Sequence, residues 1–182
     1  LRRRIREITE QFSPTVIYVT HDQYEAMSFA QELLVMKDGR AVQQGTPEQL
    51  FEAPSSTYVG YFIGSPAMNF LTVDRNDGPF TLGGRPLSLA WDVPGNTTDV
   101  QVGVRPEYVK VVTEPGPNTF PGRLRRISDH GAQRVLEVEV AGQLVRAKTP
   151  REEGIPAGEE VLVHLPRAKV LPYADGQLVL RS

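Results

Sequence analysis

After Gly64-Ser65-Pro66 the sequence is a long series of short strand-like segments with almost no helical periodicity, which limits the folds open to this chain. Turn residues such as Gly83-Gly84 and Ala141-Gly142 separate these segments, and this spacing is typical of a small β-barrel or sandwich. Residues 135–140 alternate apolar and acidic side chains, which predicts one packed face and one solvated face. The predicted strands are Phe70–Asp74, Phe80–Leu82, Val100–Val104, Val109–Val112, Arg123–Ile127, Val135–Val140, Leu144–Lys148, Glu160–Leu165, Lys169–Leu171 and Leu178–Leu180.

The N-terminal third has a different pattern. Thr15–Thr20 is a nearly continuous β-branched run, which is typical of a strand buried on both faces in an α/β sheet. A helical stretch from Gln23 to Ala30 follows. Asp22 directly precedes that stretch, and we favour a helix-capping role for it over a catalytic one.

Local signals predict three further elements before Gly64. Asp38-Gly39 is a strong hairpin-turn signal, and apolar residues flank it on both sides. Thr46-Pro47-Glu48 predicts a helix start, with threonine as N-cap, proline at the first position and an acid in the first turn. The hairpin should run over residues 33–43, one short helix should end near Ala53, and another should cover residues 56–63.

The first residues begin in the middle of a pattern. Leu1–Gln11 has helical spacing and an arginine-rich outer face, but neither a methionine nor an N-cap residue precedes it. We therefore expect the chain to be part of a longer protein. The strand Thr15–Thr20 would then lack its sheet neighbours, so we expect dimerisation, strand exchange or disorder in residues 1–30.

Composition narrows the classes of function. The absence of cysteine excludes disulfides and cysteine-based zinc sites, and no metal site is predicted. The formal net charge of −2 gives no electrostatic footprint for nucleic acid. Arg123, Arg125 and Arg126 form a local basic cluster, but no aromatic residue lies among them, so a solvated strand face is the favoured interpretation.

The chain resembles a known family along most of its length. The segments that carry this resemblance, in order, are Val16–Met27, Val35–Arg40, Gln44–Glu48, Phe62–Phe70 and Val102–Glu107. They are similar, in turn, to the switch-loop region, a hairpin, a helix start, the exit into a C-terminal domain and the signature of that domain in ABC transporter ATPases. The last of these resembles a transport-associated OB-type (TOBE) domain. The sugar-importer branch, which includes maltose and glycerol-3-phosphate importers, fits best.

The resemblance implies an α+β fold with two parts. Residues 1–65 would be the remnant of an α/β P-loop nucleotide-binding domain, and residues 66–182 a mainly-β OB-type TOBE domain. His21 would be the switch histidine, a catalytic residue that also contacts the γ-phosphate of ATP. The sequence has no Gly-x-x-x-x-Gly-Lys-Ser/Thr phosphate loop, and the signature and Walker B motifs are also missing. The resemblance implies that the full-length parent uses ATP and Mg²⁺. Because these motifs are missing, this piece alone should bind neither and should be inactive.

Partners follow from the same resemblance. The expected partners are the transmembrane permease subunits, a second copy of the chain, and a regulatory protein or small molecule at the TOBE domain. The expected location is the cytoplasmic face of the bacterial inner membrane. The alternative is a stand-alone module that binds an oxyanion or a small ligand. Gly103, Arg105 and the turn at Pro106 would form its anion nest. We favour a structural role for these residues, with Glu107 pairing with Arg105.

Overall fold

The structure is a computed structural model in which residues 15–75, 78–94, 97, 99–155 and 158–180 are described. Among these residues, the N-terminal part shows three short helices and one hairpin. The helices are α1 (Gln23–Phe29), α2 (Pro47–Glu52) and α3 (Thr57–Phe62), and the hairpin strands are β1 (Leu33–Lys37) and β2 (Arg40–Gly45). The predicted helix over Leu1–Gln11 lies outside the described residues.

The predicted hairpin is confirmed. β1 and β2 pair antiparallel, with Lys37 opposite Arg40 across a two-residue turn. Asp38 and Gly39 in that turn have φ values of 50° and 74°. Positive φ at both central positions is the requirement of the type I′ turn that Asp-Gly favours.

The starts of α2 and α3 are confirmed as well. The Thr46 side chain accepts a hydrogen bond from the Gln49 N–H, and the Gln49 side chain bonds back to the Thr46 N–H, which completes a capping box with Pro47 at the helix start. Ser56 caps α3 by accepting from the Val59 N–H. Leu50 of α2, Val59 of α3, and Val35 and Ile63 form a small apolar core for this part of the chain.

The predicted strand over Thr15–Thr20 is wrong for this structure. No strand is present there, and residues 15–19 are exposed, with Ile17 and Val19 about nine-tenths accessible. A β-branched run forms a strand only when another strand satisfies its backbone groups, and none of the described residues does so. The expected dimerisation, strand exchange or disorder of residues 1–30 stays a prediction.

Two sheets dominate the rest of the chain. The strands of this part are β3 (Asn69–Thr72), β4 (Thr81–Leu82), β5 (Arg85–Pro86), β6 (Val100–Val104), β7 (Lys110–Val112), β8 (Thr119–Asp129), β9 (Gln133–Val140), β10 (Gln143–Pro150), β11 (Glu160–His164), β12 (Leu171–Ala174) and β13 (Gln177–Leu178). One sheet has five strands in the order β10-β9-β8-β11-β7, and the other has four in the order β13-β12-β6-β3, while β4 and β5 form a small separate pair.

This mainly-β part agrees with the OB-type expectation. This part contains a curled sheet. Its two main sheets both contribute to one large core, which includes Val102 and Val104 of β6, Val138 of β9 and Val163 of β11. The predicted strand Lys169–Leu171 is wrong in its first half, because Arg167–Lys169 forms a 3₁₀ turn and β12 begins at Leu171. The derivation of residues 1–65 from a P-loop domain stays a prediction.

The helical part is attached to the second sheet by several hydrogen bonds. The Thr57 N–H donates to the Gly176 carbonyl at 2.8 Å, and the Leu178 N–H donates to the Ser55 carbonyl at 2.9 Å. The buried Tyr173 hydroxyl donates to the Pro54 carbonyl at 2.9 Å. The segment between α2 and α3 is therefore held against β12 and β13.

Candidate functional site

His21, the predicted switch histidine, is exposed at the point where the irregular segment 15–20 meets α1. The next residue, Asp22, is the N-cap of that helix. Its Oδ1 accepts from the Tyr24 N–H at 2.9 Å and from the Glu25 N–H at 3.1 Å. The Asp22 N–H in turn donates to Thr20 Oγ1 at 3.0 Å. The predicted capping role of Asp22 is confirmed, and the cap fixes the backbone next to His21.

Helix α1 is anchored at its first residue. Gln23 Oε1 accepts a hydrogen bond from the Gly64 N–H at 2.6 Å. Further along, Met27 packs against the small N-terminal core. The helix has no fully buried residue, so individual contacts such as these two contribute to fixing where its N-terminal end, and with it His21, lies.

Arg105 follows β6 and is buried, with 2% of its surface exposed. Its Nε donates to the Phe51 carbonyl at 2.9 Å, and its Nη1 donates to the carbonyls of Gly60, at 3.0 Å, and of Ile63. Its guanidinium also lies over the Phe51 ring, 4.4 Å from the ring centroid. Burial lowers the pKa of Arg105. The side chain thus binds carbonyls near the C-terminal ends of α2 and α3, where carbonyls have no partner within the helix.

A second polar contact joins α2 to the β part. Glu52 accepts hydrogen bonds from the Tyr108 hydroxyl and from Lys169 Nζ, the latter at 2.7 Å. Lys169 Nζ also lies 4.3 Å from the centroid of the Tyr108 ring. Burial alone would raise the pKa of Glu52, but these two donors outweigh it and lower the pKa. The hydrogen bond to Glu52 raises the pKa of Lys169.

The residues proposed for an anion nest are used in packing. A Cβ on Gly103 would lie 2.7 Å from atoms of Met68 and Tyr173, so this glycine allows close packing between strands. Arg105 is hydrogen-bonded to carbonyls, which favours the structural interpretation. The expected ion pair between Glu107 and Arg105 is not formed, and Glu107 pairs with Lys148 Nζ at 3.2 Å instead.

Two of the three arginines in the basic cluster on β8 form ion pairs with acids. Arg123 and Glu159 form an ion pair at 2.6 Å, and Arg125 and Glu139 form another at the same distance. These four side chains are between 42% and 67% accessible to solvent, as expected of a solvated strand face.

Two kinds of feature are absent from the described part of the chain. Within it, no cluster of histidine and acidic side chains could hold a metal ion. No helix among the same residues is long and apolar enough to cross a membrane.

Sequence reasoning missed the roles of Gln23, Glu52, Tyr108 and Lys169, and it missed the carbonyl contacts of Arg105. One signal was available for Arg105, because it continues an otherwise buried strand, Val102-Gly103-Val104. A charged residue in such a run is rarely buried unless it is paired.

The family match and the relatives of this chain agree with one another. The TOBE domain family matches residues 102–171. The chain is 37% identical over 181 residues to the sn-glycerol-3-phosphate import ATP-binding protein UgpC of Jannaschia sp. (strain CCS1), covering 96% of this chain and 49% of the relative. It is 44% identical over 133 residues to the protein of the same name from Paracoccus denitrificans (strain Pd 1222), covering 72% of this chain and 36% of that protein.

A third relative carries a more general name. This is the uncharacterized ABC transporter ATP-binding protein y4oS of Sinorhizobium fredii (strain NBRC 101917 / NGR234), which is 34% identical over 168 residues, covering 88% of this chain and 44% of the relative. The chain spans about half the length of the curated relatives that it matches along most of its own length.

Proposed function

The chain belongs to the family of ABC importer ATP-binding subunits with a TOBE domain, and we propose that it is the C-terminal part of such a subunit. ATP hydrolysis by the complete subunit would drive import of a carbohydrate or a glycerol-3-phosphate-like solute. The names of the two UgpC relatives support the glycerol-3-phosphate class.

His21 is the residue of this chain that would take part in the chemistry. The observation that carries the proposal is that His21 is exposed immediately before a capped helix, while the neighbouring Asp22 is occupied by the cap. An accessible imidazole N–H can donate a hydrogen bond to a γ-phosphate oxygen, and phosphoryl transfer depends on such positioning and charge stabilisation. The fixed backbone at Asp22 would limit the orientations that this donor samples.

ATP and Mg²⁺ would be held mainly by the rest of the subunit. When bound, Mg²⁺ would neutralise charge that develops on the phosphate oxygens. The described residues contain no carboxylate cluster suited to a metal ion, and the sequence has no phosphate-binding loop. We therefore propose that the 182-residue chain by itself neither binds ATP tightly nor hydrolyses it.

We propose that the boundary between two domains with different roles lies where the architecture changes, near Gly64-Ser65-Pro66. Residues 1–65 would belong to the nucleotide-binding domain, and residues 66–182 would form the regulatory TOBE domain that contacts a second copy of the chain. The separate apolar cores on the two sides of this boundary support it. The working complex would also include transmembrane permease subunits at the cytoplasmic face of the inner membrane.

The test of the catalytic proposal uses this chain joined to the N-terminal half of one of its importer relatives, hereafter the joined protein. His21→Ala should lower ATP turnover by roughly 10²-fold, the order of loss seen when one transition-state donor is removed, with ATP binding retained. Asp22→Asn is the matched control, because asparagine also caps helices and should leave turnover within about twofold. Full turnover in the His21→Ala protein would refute the role.

The proposed pairing of two copies needs a separate measurement. Sedimentation velocity of the 182-residue chain over a wide concentration range should show a monomer that converts to a dimer as concentration rises. A single monomeric species at every concentration would contradict dimerisation by this part of the subunit.

A further inference from the structure

We propose that Gln23 and Arg105 are positioning residues that connect the segment carrying His21 to the β domain through a single peptide group. This inference rests on the proposed function of His21. The peptide group is the one between Ile63 and Gly64. Its carbonyl accepts from Arg105 Nη1, and its N–H donates to Gln23 Oε1 at 2.6 Å.

The geometry of a peptide bond makes this connection stiff. The carbonyl and the N–H of one trans peptide lie in a common plane and point in opposite directions. The guanidinium therefore holds one end of the plane and the Gln23 side chain holds the other. A cationic donor on the carbonyl also polarises the peptide, which strengthens the N–H as a donor to Gln23.

Because Gly64 has no side chain, the Arg105 guanidinium can lie close to the Ile63–Gly64 peptide. Gly64 has φ of 99°, a left-handed conformation that side chains disfavour. A Cβ at this position would lie 2.9 Å from Arg105 Nη1 and 3.4 Å from the Phe51 ring. Any larger residue would thus displace the guanidinium from the peptide that it holds.

Arg105 is itself fixed from the side of the helices. The Phe51 carbonyl, the Phe51 ring and the Gly60 carbonyl all contact the same guanidinium. A displacement of β6 relative to α2 and α3 would therefore have to break these contacts or carry the Ile63–Gly64 peptide with it. In the second case α1 would move as well, and His21 lies just before the Asp22 cap of that helix.

The consequence is a route by which the β domain can influence the histidine. Ligands or partner chains that shift the β domain would alter the position of the His21 donor without touching the nucleotide. The coupling is reciprocal, so an ordered α1 would also stabilise the position of Arg105.

The first test needs no nucleotide and uses the 182-residue chain. NMR would measure the exchange of the Ala26 and Ala30 amides, which donate to the Asp22 and Ala26 carbonyls in α1. Gln23→Ala and Arg105→Lys should each speed this exchange by roughly two- to tenfold, the effect of losing one hydrogen bond. The double variant should show less than the product of the two effects, because both changes interrupt the same connection.

Controls separate positioning from general loss of stability. Gln23→Glu keeps an oxygen acceptor and should retain slow exchange, and Arg125→Lys alters an exposed arginine away from the helices and should change nothing in α1. If Arg105→Lys fails to fold, the Gln23→Ala variant alone decides. In the Gln23→Ala protein, hydrogen exchange of the Arg105 Nε–H should be about twofold faster than in the parent chain. An unchanged exchange rate of this group would overturn the inference. Unchanged Ala26 and Ala30 exchange in a folded Arg105→Lys protein would overturn it too.

The second test distinguishes this inference from the proposed function. In the joined protein, Gln23→Ala should lower kcat by several-fold with little change in KM for ATP, and it should have no further effect when His21 is already alanine. An equal loss in both backgrounds would refute positioning through His21. Full activity of the His21→Ala protein would instead refute the catalytic role of His21, while the exchange result would still report on the connection.

Discussion

Asn69 of β3 bonds to the backbone of Arg146 in β10 with both halves of its side-chain amide. Oδ1 accepts from the Arg146 N–H at 2.8 Å, and Nδ2 donates to the Arg146 carbonyl at 2.9 Å. The same Nδ2 also donates to the Val104 carbonyl at 3.2 Å. Three strands that belong to two different sheets therefore meet at one buried asparagine.

Replacing this asparagine should be costly. Asn69→Ala leaves the Arg146 N–H and two carbonyls without their partner, and we expect the free energy of unfolding to fall by roughly 2–3 kcal/mol in urea titrations. Gln143→Ala is the matched control, because Gln143 bonds to both backbone groups of Thr72 in the same way but at an exposed position. Its loss should cost less than about 1 kcal/mol, and an equal cost for both variants would contradict the importance of burial.

Asn69→Asp gives a sharper prediction, because it places a carboxyl group beside the carbonyls of Arg146 and Val104. Burial raises the pKa of such a group above its unfolded value. The variant should therefore lose stability relative to the parent chain as the pH rises from about 4 to 7. A stability difference that does not change with pH would show that the aspartate is solvated.

Gly103→Ala should destabilise the β domain. The added methyl group would lie 2.7 Å from Met68 Cε and from a ring carbon of Tyr173, and 3.0 Å from a ring carbon of Phe70. Overpacking of this kind costs about 1–3 kcal/mol, which urea unfolding can measure. Gly154→Ala is the control, since a methyl group added there would have no atom within 4 Å, and its effect should stay below about 0.5 kcal/mol.

Local elements could be predicted from the sequence where their cause is also local. The turn at Asp38-Gly39, the capping box at Thr46 and the cap at Asp22 each depend on residues within three positions of one another. The strands of the β part were found because turn residues delimit them. The predicted strand at Thr15–Thr20 is wrong for the opposite reason. A strand needs a second strand to pair with, and the β-propensity of its own residues does not supply one.

The long-range contacts could not be predicted in the same way. Arg105 binds carbonyls of residues that are 42, 45 and 54 positions earlier in the chain, and no periodicity encodes such pairs. The exposure of His21 likewise depends on how α1 is docked rather than on its neighbours in sequence. Resemblance to a family identified these positions, but only the fold shows what they touch.

The contact between Glu52 and Lys169 predicts a dependence of stability on pH. The pKa of Glu52 is lowered from its ordinary value of 4.5, so its contribution is present above that value and is lost as the pH falls through the folded pKa. The pKa of Lys169 is raised from 10.5, so its contribution is present below that value and is lost as the pH rises through the folded pKa. The contact should therefore stabilise the fold most between these limits.

Glu52→Gln measures this contribution. At pH 7 the variant should be less stable by at most about 1 kcal/mol, because both side chains are roughly a third or more exposed and water screens the pair. The difference should shrink as the pH falls below about 4. Glu152→Gln removes the same charge from an exposed position and reports the effect of net charge alone. Parallel stability curves for the parent chain and Glu52→Gln in acid would argue against the ion pair.

The Asp22 cap makes a final prediction about the segment that presents His21. A seven-residue helix without fully buried residues is marginal, so the two hydrogen bonds to Asp22 should decide whether its first turn persists. Asp22→Ala should weaken the cap by about 1 kcal/mol and speed exchange of the Tyr24 and Glu25 amides by roughly fivefold in NMR measurements. Asp22→Asn should restore slow exchange, because asparagine caps equally well. If Asp22→Ala exchanged as slowly as Asp22→Asn and the parent chain, the side-chain cap would not be what orders the first turn, and other contacts of α1, such as that of Gln23 with Gly64, would hold the backbone beside His21.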